Sequence, residues 1–358
     1  MASIAWAEYA ERLSSITSTP GVSIRRREYT ASESRIMKAI VCEAYGPIET
    51  LAYRDMPDPV AGPGQVVVAA EAIGVNYPDG LLVQGLYQAR PDLPFVPGME
   101  VAGRVVEIGA EVTRLAIGDR VVASLPYGAY AEKVAVDEAA VTQLPEGFDA
   151  GVACALACAY GTAYHALKQR AALQPDETLL VLGAAGATGL AAVQIGQAMG
   201  ARVIAVASTE DKQSLAVSEG ADVAIGYDDL REDLTRLTDG KGIDVAFDPV
   251  GGEAFDAVAR SMAWNGRLLV VGFASGTIPK LAVNLALLKG FSAVGVFWTA
   301  FLEKEPEKAA ANMAELIAWT EAETLQPVIS ERGQLKDAAE ILGRVHARQT
   351  RGKIILVP

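Results

Sequence analysis

Apolar and polar positions alternate with a period of two in the first third of the chain. Between Met37 and about residue 150, the runs 38–42, 65–70, 102–108, 120–123 and 129–136 each read as a strand, with Pro and Gly turns between them. This spacing predicts a barrel-like, mainly antiparallel domain. From about residue 160 to 296 the pattern changes: apolar runs at 179–182, Arg202–Val206, Val223–Ile225, 245–247 and 267–271 each precede a helical or turn segment. Strands alternating with helices predict right-handed crossovers and a doubly wound parallel sheet. After Phe297 come a helix at 305–320, a second at 335–347 and a last strand, Lys353–Val357. That tail is too short to be a domain, so it is expected to complete the first one. The predicted class is α/β, with a discontinuous domain of residues 37–157 and 297–358 enclosing a second of residues 158–296. Residues 1–36 read as a peripheral extension; Glu8, Glu11, Glu28 and Glu33 argue against an acid-poor targeting segment.

Composition narrows the function classes. A chain of 358 residues with 51% hydrophobic content and 34 glycines can bury two cores. No run approaches the ~18 continuous apolar residues of a membrane span, so a soluble protein is expected. Asp and Glu number 44 against 31 Lys and Arg, a net charge of -13 with no basic stripe, which argues against nucleic acid as a partner. Three cysteines, Cys42, Cys154 and Cys158, are too few for a disulfide framework, and a cytoplasmic location is expected.

The most specific local signal is a buried strand running into Gly183-Ala184-Ala185-Gly186-Ala187-Thr188-Gly189 and then a helix. Glycines three apart let backbone N–H groups approach a pyrophosphate, and the helix N-terminus adds partial positive charge. A dinucleotide site is predicted. The next strand ends in Ser208 and Thr209, where an acidic residue would grip a ribose diol, and Lys212 follows within one helical turn. Hydroxyls and a cation suit a 2'-phosphate, hence NADPH; Glu210 and Asp211 in the same turn pull the other way.

Further strings join this one: Gly74-Val75-Asn76-Tyr77-Pro78-Asp79, Pro97-Gly98-Met99-Glu100-Val101-Ala102-Gly103, Gly118-Asp119-Arg120-Val121, Tyr160-Gly161-Thr162-Ala163-Tyr164-His165-Ala166-Leu167 and Asp248-Pro249-Val250-Gly251-Gly252. In this order they resemble the quinone oxidoreductase branch of the medium-chain dehydrogenase/reductase superfamily, from Met37 to Pro358. The resemblance implies a Rossmann domain inserted into a GroES-like domain, a homodimer formed near residues 291–297, and zinc-free, NADPH-dependent reduction of quinones or α,β-unsaturated carbonyls. It places Asn76 where zinc-dependent relatives have a ligand Cys, and Met99-Glu100 where they have His-Glu. Of the expected ligands only Cys158 and Glu100 remain, and a thioether and an amide are poor zinc ligands, so no metal is expected. His165 reads as a core or surface histidine.

Without a Lewis acid, alcohol oxidation is disfavoured, whereas an activated acceptor needs only a hydrogen-bond donor for its developing oxyanion. By resemblance Asn76 and Tyr77 supply that donor, Asp79 and Tyr87 shape the pocket, and Thr162 contacts the nicotinamide. Tyr227 sits by the adenosine phosphate, Gly272, Phe273, Ala274 and Ser275 by the nicotinamide ribose, and Arg348 contacts the cofactor, with Arg344 and Arg351 close in sequence. From the residues alone, Asp79 can equally cap a helix at 80–84. Two other functions remain open: reduction of an enoyl thioester, and binding of NADPH without catalysis.

Overall fold

The structure, a computed structural model, describes residues 35–358; the expected extension at 1–36 lies outside the described residues except for Arg35 and Ile36. The first strands, β1 (Ile36–Val41) and β2 (Ala52–Pro57), pair antiparallel with each other. The long β3 (Gln65–Val75) runs into a short helix, α1 (Tyr77–Val83). Beside β3 lie β4 (Glu100–Ile108), then β5 (Arg120–Ser124); β6 (Lys133–Asp137) pairs with the outer half of β3, and β7 (Val141–Gln143) with β5. The helix α2 (Ala150–Arg170) then leads out of this layer.

Next come β8 (Thr178–Leu182), α3 (Ala187–Ala198), β9 (Arg202–Val206), α4 (Glu210–Ser218), β10 (Val223–Ile225), α5 (Leu230–Leu237), β11 (Ile243–Asp248), α6 (Ala254–Ser261), β12 (Met262–Val270), α7 (Val283–Lys289) and β13 (Ser292–Gly295). All neighbouring strands here are parallel, in the order β10-β9-β8-β11-β12-β13. The chain winds one way from β8 and the other way from β11, so a crevice opens beyond the C-terminal ends of those two strands, the usual ligand position in such sheets. Leu179, Leu180, Val181 and Leu182 are all fully buried, as a strand covered by helices on both faces requires.

After α8 (Trp298–Lys304) and α9 (Pro306–Glu321), β14 (Ile329–Gln334), α10 (Ala338–His346) and β15 (Lys353–Val357) bring the chain back to the first sheet. There β15 pairs antiparallel with the inner end of β3, Ile354 opposite Val75, and β14 pairs parallel with β15. The two sheets therefore meet where β3 ends and β15 begins.

β14, α2 and α1 are among the elements that differ from the sequence reading. β14 is the polar run Ile-Ser-Glu-Arg-Gly-Gln, whose half-exposed edge position needs no apolar stripe. α2 is 21 residues long and apolar enough by composition to cross a membrane, yet 83% of that window is buried inside the fold. It contains two π-helical stretches, Leu156–Tyr160 and Ala166–Arg170, which shift its side chains off a simple 3.6-residue period. α1 starts at Tyr77, not at 80; Asn76 is its N-cap residue and Asp79 is the third residue of its first turn.

Candidate active site

The inner end of β3 and the start of β15 build a buried polar cluster. Strand register sets Lys353 next to Asn76, the residue after the Val75–Ile354 pair. Lys353 is 2% exposed, and its ammonium donates to Asn76 Oδ1 (2.7 Å) and to the Val75 carbonyl (3.2 Å) while ion-pairing with Glu100, which is fully buried on β4. An ammonium has three donors and no acceptor, so the Asn76 oxygen must be the atom facing it. The Asn76 Nδ2 group is then left buried and, among the described residues, without a partner. Burial lowers the pKa of Lys353; the Glu100 carboxylate beside it outweighs burial and holds that pKa above the ordinary lysine value.

Glu100 reaches Lys353 across Gly74. A Cβ at residue 74 would lie 1.7 Å from Glu100 Oε1, so the glycine is the space the carboxylate occupies. Gly74→Ala is expected to dislodge Glu100 and to lower unfolding stability by about 3–5 kcal/mol, the cost of breaking a buried ion pair. Denaturant unfolding measures it; a loss under ~1 kcal/mol would show that the carboxylate has another place to go.

Beneath Asn76 sits Asp79, fully buried: its carboxylate accepts the Asn76 backbone N–H (2.8 Å) and the Tyr130 hydroxyl (2.9 Å). Burial pushes the Asp79 carboxyl up to about 7, against those two hydrogen bonds, and nearby Glu100 pushes the same way. Asp79 thus supports the pocket from below and has no surface of its own in it. Tyr77 is half-buried with its ring stacked on His346 (4.2 Å between centroids), and its carbonyl lies 2.7 Å from His346 Nε2. Tyr87 is half-buried and close to Cys158, and burial pushes its hydroxyl pKa up. The first π-helical stretch of α2 carries Cys158 to Glu100; burial, then the Glu100 charge, pushes its thiol pKa up. Thr162 follows four residues later on the same helix, half-buried. His165 is a core residue, stacked on Phe301 at 3.8 Å with Nδ1 3.2 Å from Gln169 Oε1.

The glycine turn lies at the end of β8. Gly183 has φ +61° and donates its N–H to the Tyr227 hydroxyl at 3.0 Å, while a Cβ on Gly189 would lie 2.2 Å from the Gly183 oxygen. Gly186 differs: a Cβ there would meet only the Gly183 oxygen, at 3.4 Å. Packing does not require that glycine, and its bare outer side at the N-terminus of α3 leaves room for a ligand to touch the backbone. The loop Gly272-Phe273-Ala274-Ser275 zips onto Pro249 and Val250, with Ala274 N–H donating to Pro249 O (3.0 Å) and Ser275 N–H to Val250 O (2.9 Å). Val250 in turn packs beside Gly183. Both loops therefore rim the same crevice.

At the end of β9, Ser208 is exposed and Thr209 caps α4, its hydroxyl accepting from Lys212 N–H. Lys212 Nζ donates to the Arg348 carbonyl (2.8 Å), and its pKa is lowered by burial and then by the charges of Arg351 and Arg348. Three cations thus converge beside two hydroxyls, an arrangement suited to a phosphate dianion. Glu210 and Asp211 are exposed first-turn residues that complement the helix dipole. Arg344 is elsewhere, paired with Glu331 and Glu340. The segment carrying Arg348 and Arg351 continues over the glycine turn, Gly352 N–H donating to Ala185 O at 2.9 Å, and ends at Lys353.

The family model described as zinc-binding dehydrogenase matches residues 187–318, and that for the alcohol dehydrogenase GroES-like domain matches residues 62–146. Quinone oxidoreductase-like protein 2 of Bos taurus is 38% identical over 303 residues, 84% of this chain and 86% of that protein. The quinone oxidoreductase of Pseudomonas aeruginosa is 37% identical over 326 residues, 90% of this chain and 99% of that one. The chain belongs to the quinone oxidoreductase family of the medium-chain dehydrogenase/reductase superfamily. A mycobacterial structure solved in complex with NADPH superimposes with a TM-score of 0.85 at 31% identity, covering 90% of this chain and 100% of that one.

The superfamily implies two bound groups. NADPH fits the residues present: the bare Gly186, the α3 N-terminus and the Lys212, Arg348 and Arg351 cations suit its phosphates. Zinc does not. The Lys353 ammonium already neutralises Glu100 and holds the Asn76 oxygen, and Cys158 is kept in its protonated form. Among the described residues no three His, Cys, Asp or Glu side chains gather as a ligand set. Within this family site, sequence reading did not pick out Tyr130, His346 or Lys353 as functional residues. The available signal for Lys353 was a single charge opening an otherwise apolar strand.

Proposed function

We propose that this member of the quinone oxidoreductase family reduces a quinone or a related α,β-unsaturated carbonyl with NADPH, without a metal. When bound, NADPH supplies the hydride; with a proton from solvent the acceptor becomes the hydroquinone and the cofactor NADP+. The observation that carries the reading is the Asn76 amide, whose oxygen is held by Lys353 and whose buried Nδ2 group has no partner. An oxygen gaining negative charge is the partner that donor needs, and a fixed donor in a dry site stabilises it with no reorganisation. Tyr77 lies next to it as a second donor, with its ring held by His346. Tyr87 lies close to Cys158, and Thr162 follows Cys158 by one turn of α2. Cofactor choice follows from Ser208, Lys212, Arg348 and Arg351, which suit a 2'-phosphate, while Tyr227 and the 272–275 loop rim the dinucleotide crevice.

The test is loss of the reduced-nicotinamide absorbance with purified, chelator-treated protein, comparing a small quinone, a simple enone and a crotonyl thioester. Quinone turnover that survives chelation is the expected result. Turnover of the thioester alone, or activity that returns only with zinc, overturns the reading.

A homodimer is part of the proposal. Among the described residues β13 ends the parallel sheet with its outer edge unpaired, and around it Trp264, Val283, Leu287 and Leu288 are 72–80% exposed. An apolar rim on a bare strand edge suits a second copy of the same edge. Sedimentation is expected to show a dimer that Leu287→Asp converts to monomer; a wild-type monomer at micromolar concentration contradicts it.

A further inference from the structure

We propose that Lys353, with Glu100 as its counter-ion, is a positioning residue that fixes which end of the Asn76 amide faces the substrate. The inference rests on the reading of Asn76 as the donor to the acceptor oxygen. An asparagine side chain is nearly symmetric in shape and presents either its oxygen or its amino group after a half-turn. Lys353 removes that choice. Its ammonium can only donate, so the oxygen turns to it at 2.7 Å and the buried amino group lies on the opposite side of the amide.

The lysine itself is held on all sides. Its ammonium donates to Asn76 and the Val75 carbonyl and ion-pairs with Glu100, its own backbone N–H donates to Val328 O (2.8 Å), and the preceding residue's N–H to the glycine turn. Glu100 balances a charge that would otherwise be costly at 2% exposure, and Gly74 gives Glu100 its path. The ammonium behind the amide also polarises it, strengthening its N–H donors. Lys353 therefore acts through Asn76 and does not touch the reacting atoms.

The experiment is a double-mutant cycle. Lys353→Met is made together with Glu100→Gln, so that no lone charge is buried, in wild-type and in Asn76→Ala backgrounds. Each protein is first checked for thermal unfolding and NADPH affinity. In the wild-type background kcat is expected to fall roughly tenfold to a hundredfold with KM for the acceptor changed less than about threefold, the pattern of a donor lost to the transition state. In the Asn76→Ala background the same pair is expected to change kcat less than about twofold, because the residue it acts through is gone. An equal loss in both backgrounds, or no loss in either, overturns the proposal.

If the paired variant does not fold, Lys353→Gln with Glu100→Gln replaces it. A glutamine amide offers an acceptor as well as donors and so no longer fixes the Asn76 amide, and the cycle is read in the same way. The cycle uses whichever carbonyl acceptor the wild type reduces. A protein that turns over an enone and no quinone therefore overturns the quinone reading while leaving this test intact.

Discussion

Asn76→Ala is expected to lower kcat for quinone reduction by roughly a hundredfold, the scale seen when one donor is removed from an oxyanion site. Affinity for NADPH is expected to stay within about threefold, because no cation or glycine of the cofactor crevice touches Asn76. The effect is this large because the donor cannot be replaced from within. Asn76 Nδ2 is unpartnered and buried, and its fellow groups are committed: Lys353 to Glu100 and the two oxygens, and Tyr130 to Asp79. Removing the side chain also leaves Lys353 one acceptor short, so part of the loss will show as a lower unfolding temperature. Steady-state kinetics on protein that still binds NADPH separates the two. Loss of NADPH affinity together with kcat would mean that Asn76 supports the fold of the cleft and not the reaction.

The second large effect is on cofactor choice. Lys212→Glu is expected to raise KM for NADPH by roughly 10- to 100-fold, the range for replacing a charge-assisted hydrogen bond with a repulsion. KM for NADH is expected to change less than about threefold, since the ribose diol carries no charge there. The reason is the crowding of Lys212 with Arg348 and Arg351, like charges whose mutual repulsion a phosphate relieves. Arg348→Ala is expected to act in the same direction but more weakly, because its backbone carbonyl still accepts from Lys212. Equal effects on both nicotinamides would place the cations outside the phosphate site.

Much of this architecture was legible in the sequence because it depends on local chemistry. The parallel strands announce themselves as short apolar runs ended by Gly or Ser, and Gly183, Gly186 and Gly189 sit between a strand and a helix as the turn requires. Other features depend on contacts far apart in the chain. Lys353 meets Asn76 across 277 residues and His346 meets Tyr77 across 269, and neither pairing has a local signature. Asp79 reads as a possible cap for a helix at 80–84; it does cap, but as the third residue of a helix that begins at Tyr77, its carboxylate accepting the Asn76 N–H, and it also accepts from Tyr130. The choice among Arg344, Arg348 and Arg351 was open in sequence. The fold separates them, since Arg344 is ion-paired on α10 while the other two sit beyond it beside Lys212. β14 was missed because an edge strand with half-exposed faces carries no apolar alternation.

The most direct test of metal-free hydride transfer to a quinone is a single-turnover experiment with chelator-treated protein, limiting NADPH deuterated at the transferred position and excess small quinone. NADPH is expected to be oxidised in one step, more slowly with the deuterated cofactor, and Asn76→Ala is expected to slow that same step. Oxidation that proceeds without an isotope effect in either protein, or that requires added zinc, would contradict it.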